Sequence, residues 1–285
     1  MAQIRHVAIV VNDMDDAAGF YRQTFKLAEA GREYGEKGSG VYMCDGEMNL
    51  ALLNYKSDAM AGVKNSSTFT GTHHFGIQVD DLAEIGEKIE AAGGSFFFDF
   101  GDEKSGNFER KYRDPSGVIF DVSKGGWVGT STRRVDHDGD YSTPPIKDGV
   151  AHIRHIAVAV SEPEMTGEFF GEVFGLEYVG RTLSPLADGI YLTDGYINLA
   201  LLNYKDDEIA GVERGKDFVG THHFGFKVDD LDATGTHITD NGGKFFLDLP
   251  EEKESLYFER KYRDPDGIIF DISHNGWATA PAKAA

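Results

Sequence analysis

Gly71-Thr72-His73-His74-Phe75-Gly76 occurs a second time as Gly220-Thr221-His222-His223-Phe224-Gly225. Each copy opens a strand-like run, His74 to Val79 and His223 to Val228, that leads into Asp-Asp-Leu. Side chains alternate across a strand. Phe75, Ile77 and Val79 therefore share one face, and His74, Gly76 and Gln78 the other. The apolar face reads as core. The opposite face presents an imidazole beside a glycine, which predicts open space next to the ring.

Working outward from this stretch, the whole chain repeats. Ile4-Arg5-His6 returns as Ile153-Arg154-His155, Asn49 to Lys56 unchanged as Asn198 to Lys205, and Phe108 to Pro115 unchanged as Phe258 to Pro265. One residue is inserted in the loop before Phe258. Such self-similarity predicts two domains, residues 1–128 and 151–278, joined by a Ser/Thr/Asp/Gly/Pro-rich linker over 129–150 and followed by a tail over 279–285. Within the first copy, periodicity predicts strands at His6–Val11, Gly40–Met43, Asn49–Asn54, His74–Val79, Phe96–Phe98, Glu109–Arg113 and Val118–Val122. It predicts helices at Asp13–Lys26 and Leu82–Ala92, the second stopped by Gly93-Gly94. The order is that of βαβββ units, two per copy and four in the chain. The fold class is α+β, with each half a mixed sheet whose free face curls into a cup.

The 285 residues carry 28 Lys and Arg against 48 Asp and Glu, a net charge of −20. That balance argues against nucleic acid or an anionic membrane surface as partner. One cysteine, Cys44, excludes an internal disulfide and suits a reducing compartment. No basic-apolar leader follows Met1 and no apolar run reaches membrane-spanning length, so a cytoplasmic location is expected.

Strand parity selects the chemical candidates. Val7, Ile9 and Val11 face the core, so His6 faces away; Val118, Phe120 and Val122 face the core, so Asp121 faces away. The second copy assigns His155, His223 and Asp271 in the same manner. Two imidazoles and a carboxylate converging in a cup make a metal site with open positions. That donor set suits non-haem Fe(II) first, with Mn, Co, Ni or Zn also compatible. His73 and His222 point away from the ligand face by parity and are expected to support the ligands or pack in the core.

The motifs that carry these residues are His6-Val-Ala-Ile-Val-Val, His74-Phe-Gly-Ile-Gln-Val-Asp-Asp and Asp114-Pro-Ser-Gly-Val-Ile-Phe-Asp121, with His155-Ile-Ala-Val, His223-Phe-Gly-Phe-Lys-Val-Asp-Asp and Asp264-Pro-Asp-Gly-Ile-Ile-Phe-Asp271 in the second copy. They resemble the vicinal oxygen chelate superfamily of glyoxalase I, bleomycin-resistance proteins and extradiol dioxygenases. The resemblance implies that His6, His74 and Asp121, and His155, His223 and Asp271, fall on metal positions. It departs from the family in closing each set with Asp where Glu is usual. Glyoxalase I draws a further Glu from the strand that here runs Met48 to Tyr55, which has no carboxylate. The filled positions match extradiol dioxygenases, which chain four units and keep metal in the C-terminal half. Those enzymes also place a histidine before the second ligand, and no histidine lies between His155 and His222.

The resulting expectation is a metal-dependent dioxygenase that opens a small aromatic diol or a similar substrate with vicinal oxygens, with the C-terminal half favoured. The alternatives are a glyoxalase-like lyase or isomerase working through an enediolate, and a metal-free sequestering protein of bleomycin-resistance type. Tyr112 and Tyr262, before the Asp-Pro turns, are candidates for proton transfer. Polar residues expected near the cup are Asn54, Tyr55, Lys56, Arg110, Lys111 and Arg113, with Asn203, Tyr204, Lys205, Arg260, Lys261 and Arg263, a cluster that hints at an anionic substrate. Asn54, Tyr55, Lys56 and Arg110, with Asn203, Tyr204, Lys205 and Arg260, are the candidates for binding an anionic or aromatic substrate. Assembly into a homo-oligomer is open.

Overall fold

A computed structural model describes residues 2–36, 38–62, 69–101, 108–134, 144–249 and 258–279. The middle of the linker, the insertion before Phe258 and nearly all of the tail lie outside the described residues.

The first half runs β1 (Gln3–Val10), α1 (Met14–Phe25), β2 (Ala28–Tyr34), β3 (Gly38–Cys44), β4 (Asn49–Tyr55), α2 (Asp58–Ala61), β5 (Gly71–Gln78), α3 (Leu82–Ala91), β6 (Ser95–Phe100), β7 (Glu109–Arg113) and β8 (Ile119–Ser123). The second half repeats it as β9 (His152–Ala159), α4 (Pro163–Phe174), β10 (Glu177–Leu183), β11 (Ala187–Thr193), β12 (Asn198–Tyr204), α5 (Asp207–Ala210), β13 (Gly220–Lys227), α6 (Leu231–Asp240), β14 (Lys244–Leu249), β15 (Glu259–Arg263) and β16 (Ile269–Ser273). Asp13, Asp81 and Asp230 begin α1, α3 and α6 by accepting from backbone N–H groups of the first turn. The expected α+β arrangement of four βαβββ units is present. Periodicity missed β2 and β10, and the reason is visible in them. Both lack a fully apolar face, reading Ala-Glu-Ala-Gly-Arg-Glu-Tyr and Glu-Tyr-Val-Gly-Arg-Thr-Leu, because they lie at sheet edges with little to bury.

Each half forms one eight-stranded sheet, in the order β2-β3-β4-β1-β5-β8-β7-β6 and its repeat β10-β11-β12-β9-β13-β16-β15-β14. The central pair β1 and β5 is antiparallel, while each pairs in parallel with its outer neighbour, β4 or β8. Residues from β2 and β3 on one flank and from β6 and β7 on the other line a single cavity. The sheet is therefore curled. A register shift between Ile4 and His6 lets Ile4 and Val7 both reach the core. A second shift in the pairing of β5 falls between Thr72 and His74, so His73 takes the bulge.

The two halves do not keep separate interiors. One apolar cluster draws on both, from Ile4, Phe25 and Phe75 to Phe170, Phe226 and Phe270. Helix α1 packs on β2, β3 and β4 of its own sheet and also reaches the partner sheet, where Phe25 stacks on Phe226 with centroids 3.9 Å apart and Phe20 meets Phe270 at 6.1 Å. Helix α4 does the reverse, setting Phe170 5.6 Å from both Phe75 and Phe120. Polar ties repeat the exchange: Ile4 N donates to Asp194 Oδ2 at 2.7 Å, and Ile153 N to Asp45 Oδ2 at 2.8 Å. Each sheet thus turns its apolar face to a shared core and its histidine face away from it.

Candidate metal centre

Residues from β1, β5 and β8 meet at the floor of the first cup. Ligand-capable atoms of His6, His74 and Asp121 lie within 4.8 Å of one another, as do those of His155, His223 and Asp271 in the second half. The His74 Nε2 to Asp121 Oδ2 distance is 3.0 Å, and the His223 Nε2 to Asp271 Oδ2 distance is the same. All six residues are buried. Parity predicted that each set shares a face, and the register brings it together: His6 and Asp121 flank Gly76 at one level, as His155 and Asp271 flank Gly225, with His74 and His223 two residues along the central strand on the same face.

A chain of hydrogen bonds fixes which ring nitrogen faces the cup. His222 Nε2 donates to Ala210 O at 2.8 Å, so its Nδ1 accepts from His223 Nδ1 at 2.8 Å. His223 Nε2 is left with a lone pair toward the cup. His155 Nδ1 donates to Asn198 Oδ1 at 2.9 Å, and Asn198 Nδ2 in turn donates to Ala278 O, which sets the amide orientation. The first half repeats each link through Ala61, His73, Asn49 and Val128. Burial first, and the adjacent lysine second, hold His74 and His223 well below the usual imidazole pKa, so both stay neutral. His6 Nε2 faces His74 Nε2 at 3.3 Å, two lone pairs pointed at each other. Asp121 Oδ1 and Asp271 Oδ1 are buried with no hydrogen-bond partner among the described residues. The Asp Oδ1 atoms and the His6 Nε2 lone pair meet no donor there, a deficit that a divalent cation relieves, so the residues fit a metal.

The cup holds a group that the sequence reading placed nearby only as one cation of a cluster for an anionic substrate. Lys111 Nζ, buried on β7, lies 2.5 Å from Asp121 Oδ2, 3.2 Å from His74 Nε2 and 3.3 Å from Glu109 Oε1. Lys261 makes the same contacts at 2.5, 3.2 and 3.0 Å. Burial pulls each ammonium pKa down, but the Asp and Glu carboxylates outweigh it and leave the pKa raised. Alternation applied to Glu109–Arg113 could have found this, since Lys111 pairs directly with Asp121 across the sheet.

The expected space beside His74 is filled. Trp127 stacks on His6, centroids 4.8 Å apart, and donates to Glu109 Oε2 at 2.8 Å; Trp277 does the same with His155 and Glu259. A Cβ at Gly225 would come within 2.5 Å of Trp277 and 3.1 Å of the His155 Cβ. Gly225→Ala is therefore expected to cost about 1–3 kcal/mol by overpacking. The tryptophan emission of the C-terminal cup should shift with it, and unchanged emission would count against the contact.

Other predicted residues divide. Asn54 and Tyr55 line the first cup and Tyr204 the second. Asn203 is turned to Ser161 O, while Lys56 and Lys205 clasp Gly35 O and Ser184 O at the rim. Arg110 and Arg260 lie outside the cups, paired with Asp99 and Asp248. Tyr112 and Tyr262 also leave the cups. Alternation puts them on the face opposite Lys111 and Lys261, where they stack on Phe120 and Phe270 within the core. Cys44 is buried, which pushes its thiol up to about 11 and leaves it unreactive.

The cups differ in size. The cavity is about 490 Å³ in the second half and about 50 Å³ in the first. Phe100 and Val128 of the first cup are replaced by Leu249 and Ala278, and Glu33, which accepts from Tyr42 of the adjacent strand at 3.2 Å, by Thr182.

Among the described residues no helix is long and apolar enough to cross a membrane. The fold is similar to that of solved structures at low identity. A triple mutant of 4-hydroxymandelate synthase from Streptomyces coelicolor is 14% identical with a TM-score of 0.68, covering 98% of this chain and 95% of that one. The 2,3-dioxygenase LapB from Pseudomonas sp. KL28 is 20% identical with a TM-score of 0.64, covering 96% and 92%. The Mn(II)-bound glyoxalase from Novosphingobium aromaticivorans is 15% identical with a TM-score of 0.65, covering 96% and 82%. No curated protein matches the sequence. A family profile, in contrast, matches both halves, over residues 3–122 and 152–272, and by it the chain belongs to the Glyoxalase/Bleomycin resistance protein/Dioxygenase superfamily.

Proposed function

We propose that the protein is a metal-dependent enzyme of this superfamily, an extradiol-type dioxygenase that opens a small aromatic diol or similar vicinal-oxygen substrate in its C-terminal cup. The observation that carries this is the set His155, His223 and Asp271, whose two histidines line the larger cavity with Asp271 buried against them and its Oδ1 without a partner among the described residues. A divalent ion bound there, Fe(II) first by its donor set, would supply Lewis acidity and redox chemistry. The chain's own residues do the rest. Asn198 and His222 hold both imidazoles with Nε2 toward the cup. Leu186, Leu202, Ile209 and Leu249 give an apolar wall suited to a ring, and Tyr204 and Lys261 add polar groups to the lining.

Oxygen uptake with a panel of catechols tests the reading. Uptake is expected with the metal-loaded protein and is expected to fall to background after chelation. A transformation that consumes no oxygen would favour the lyase or isomerase alternative, and protein that takes up no metal would favour sequestration. Leu249→Phe copies the first cup into the second. It is expected to raise KM for substituted catechols at least tenfold while catechol itself changes little; equal effects on both would place the substrate elsewhere.

A further inference from the structure

Two lysines reach the floors of the two cups by the same route. Each is flanked on its strand by Glu109 or Glu259, pairs across the sheet with Asp121 or Asp271, and points its ammonium at a ligand histidine. An ammonium has three protons and no lone pair. Here three acceptors surround it: the Asp Oδ2, the Glu Oε1 and the histidine Nε2. The tryptophan indole takes the other oxygen of the same glutamate. The arrangement is complete in both halves, so it is not an accident of one site.

The histidine contact creates a conflict. The hydrogen-bond chain leaves His74 Nε2 and His223 Nε2 a single lone pair each. A lysine N–H that uses it denies it to a metal ion, and a metal ion that uses it must expel the N–H. Two cations would also share one buried carboxylate. We propose that Lys111 and Lys261 are the resident cations of the two cups: each ammonium holds the ligand set together in the absence of a divalent ion, and entry of the ion displaces it from the histidine and aspartate onto Glu109 or Glu259. The lysine is then a positioning residue that sets how tightly each cup takes metal. This rests on the proposed function only in taking a divalent ion as the displacing species.

The test uses Mn²⁺ alone, titrated into chelator-stripped full-length protein and followed by calorimetry. The wild type is compared with the double variants Lys111→Met/Lys261→Met and Lys111→Gln/Lys261→Gln. The glutamine pair keeps polarity should the methionine pair fail to fold. Either folded variant is expected to bind two Mn²⁺ per chain at least tenfold more tightly than the wild type. Affinity equal to or weaker than wild type overturns the lysine assignment while leaving the metal reading standing. Mn²⁺ binding by the variants but not by the wild type upholds the lysine assignment and overturns the proposed metal dependence. Failure of all three to bind overturns both.

Discussion

Asp271→Asn is expected to lower the folding free energy of the metal-free protein by about 3–5 kcal/mol, because it strips a buried cation of its closest counter-charge. The Lys261 ammonium sits 2.5 Å from Asp271 Oδ2, and both side chains are out of water. Their mutual attraction offsets the cost of desolvating two charges, and the amide leaves the ammonium with Glu259 alone. That remaining partner puts the expected loss toward the lower end of the range. Urea denaturation in the presence of chelator measures it. The same substitution should remove one bound Mn²⁺ per chain, which a metal titration counts. A loss below about 1 kcal/mol would mean that water reaches the ammonium, and the cup would not be the desolvated site described above. Asp121→Asn is expected to act equally on the first cup, since its contacts match.

Phe226→Ala is expected to cost about 3–5 kcal/mol through the cavity it leaves, and to weaken both halves together. Phe226 lies on β13, but its stacking partner at 3.9 Å is Phe25 of α1, and Tyr21 of that helix is 6.4 Å away. The cavity would open between the halves. Each cup carries its own reporter, since Trp127 stacks in the first and Trp277 in the second. With Trp277→Phe or Trp127→Phe as background, emission follows one half at a time. Both reporters are expected to move to lower urea by the same amount, as a single cooperative unit requires. An early transition seen only from Trp277 would show that the halves unfold independently and that the shared core is not what couples them.

The sequence by itself determined the repeat, the α+β class, the four-unit order and both His/His/Asp sets. The reason is that strand alternation is local: the faces of His6, His74 and Asp121 follow from neighbours one or two residues away. Edge strands β2 and β10 escaped because a strand with little to bury carries no apolar alternation. Tyr112 was chosen for its place before the Asp-Pro turn and Arg110 as a cation for an anionic substrate, whereas alternation on that strand sends both to the face opposite Lys111. Only the tertiary structure decided that aromatic side chains of helix α1 reach the partner sheet, that Trp127 fills the space beside Gly76, that the second cup is the roomier one, and that an ammonium already sits against each candidate ligand set. Those features depend on residues distant in the chain meeting across a curled sheet. Their geometry is set by packing, which no local period encodes.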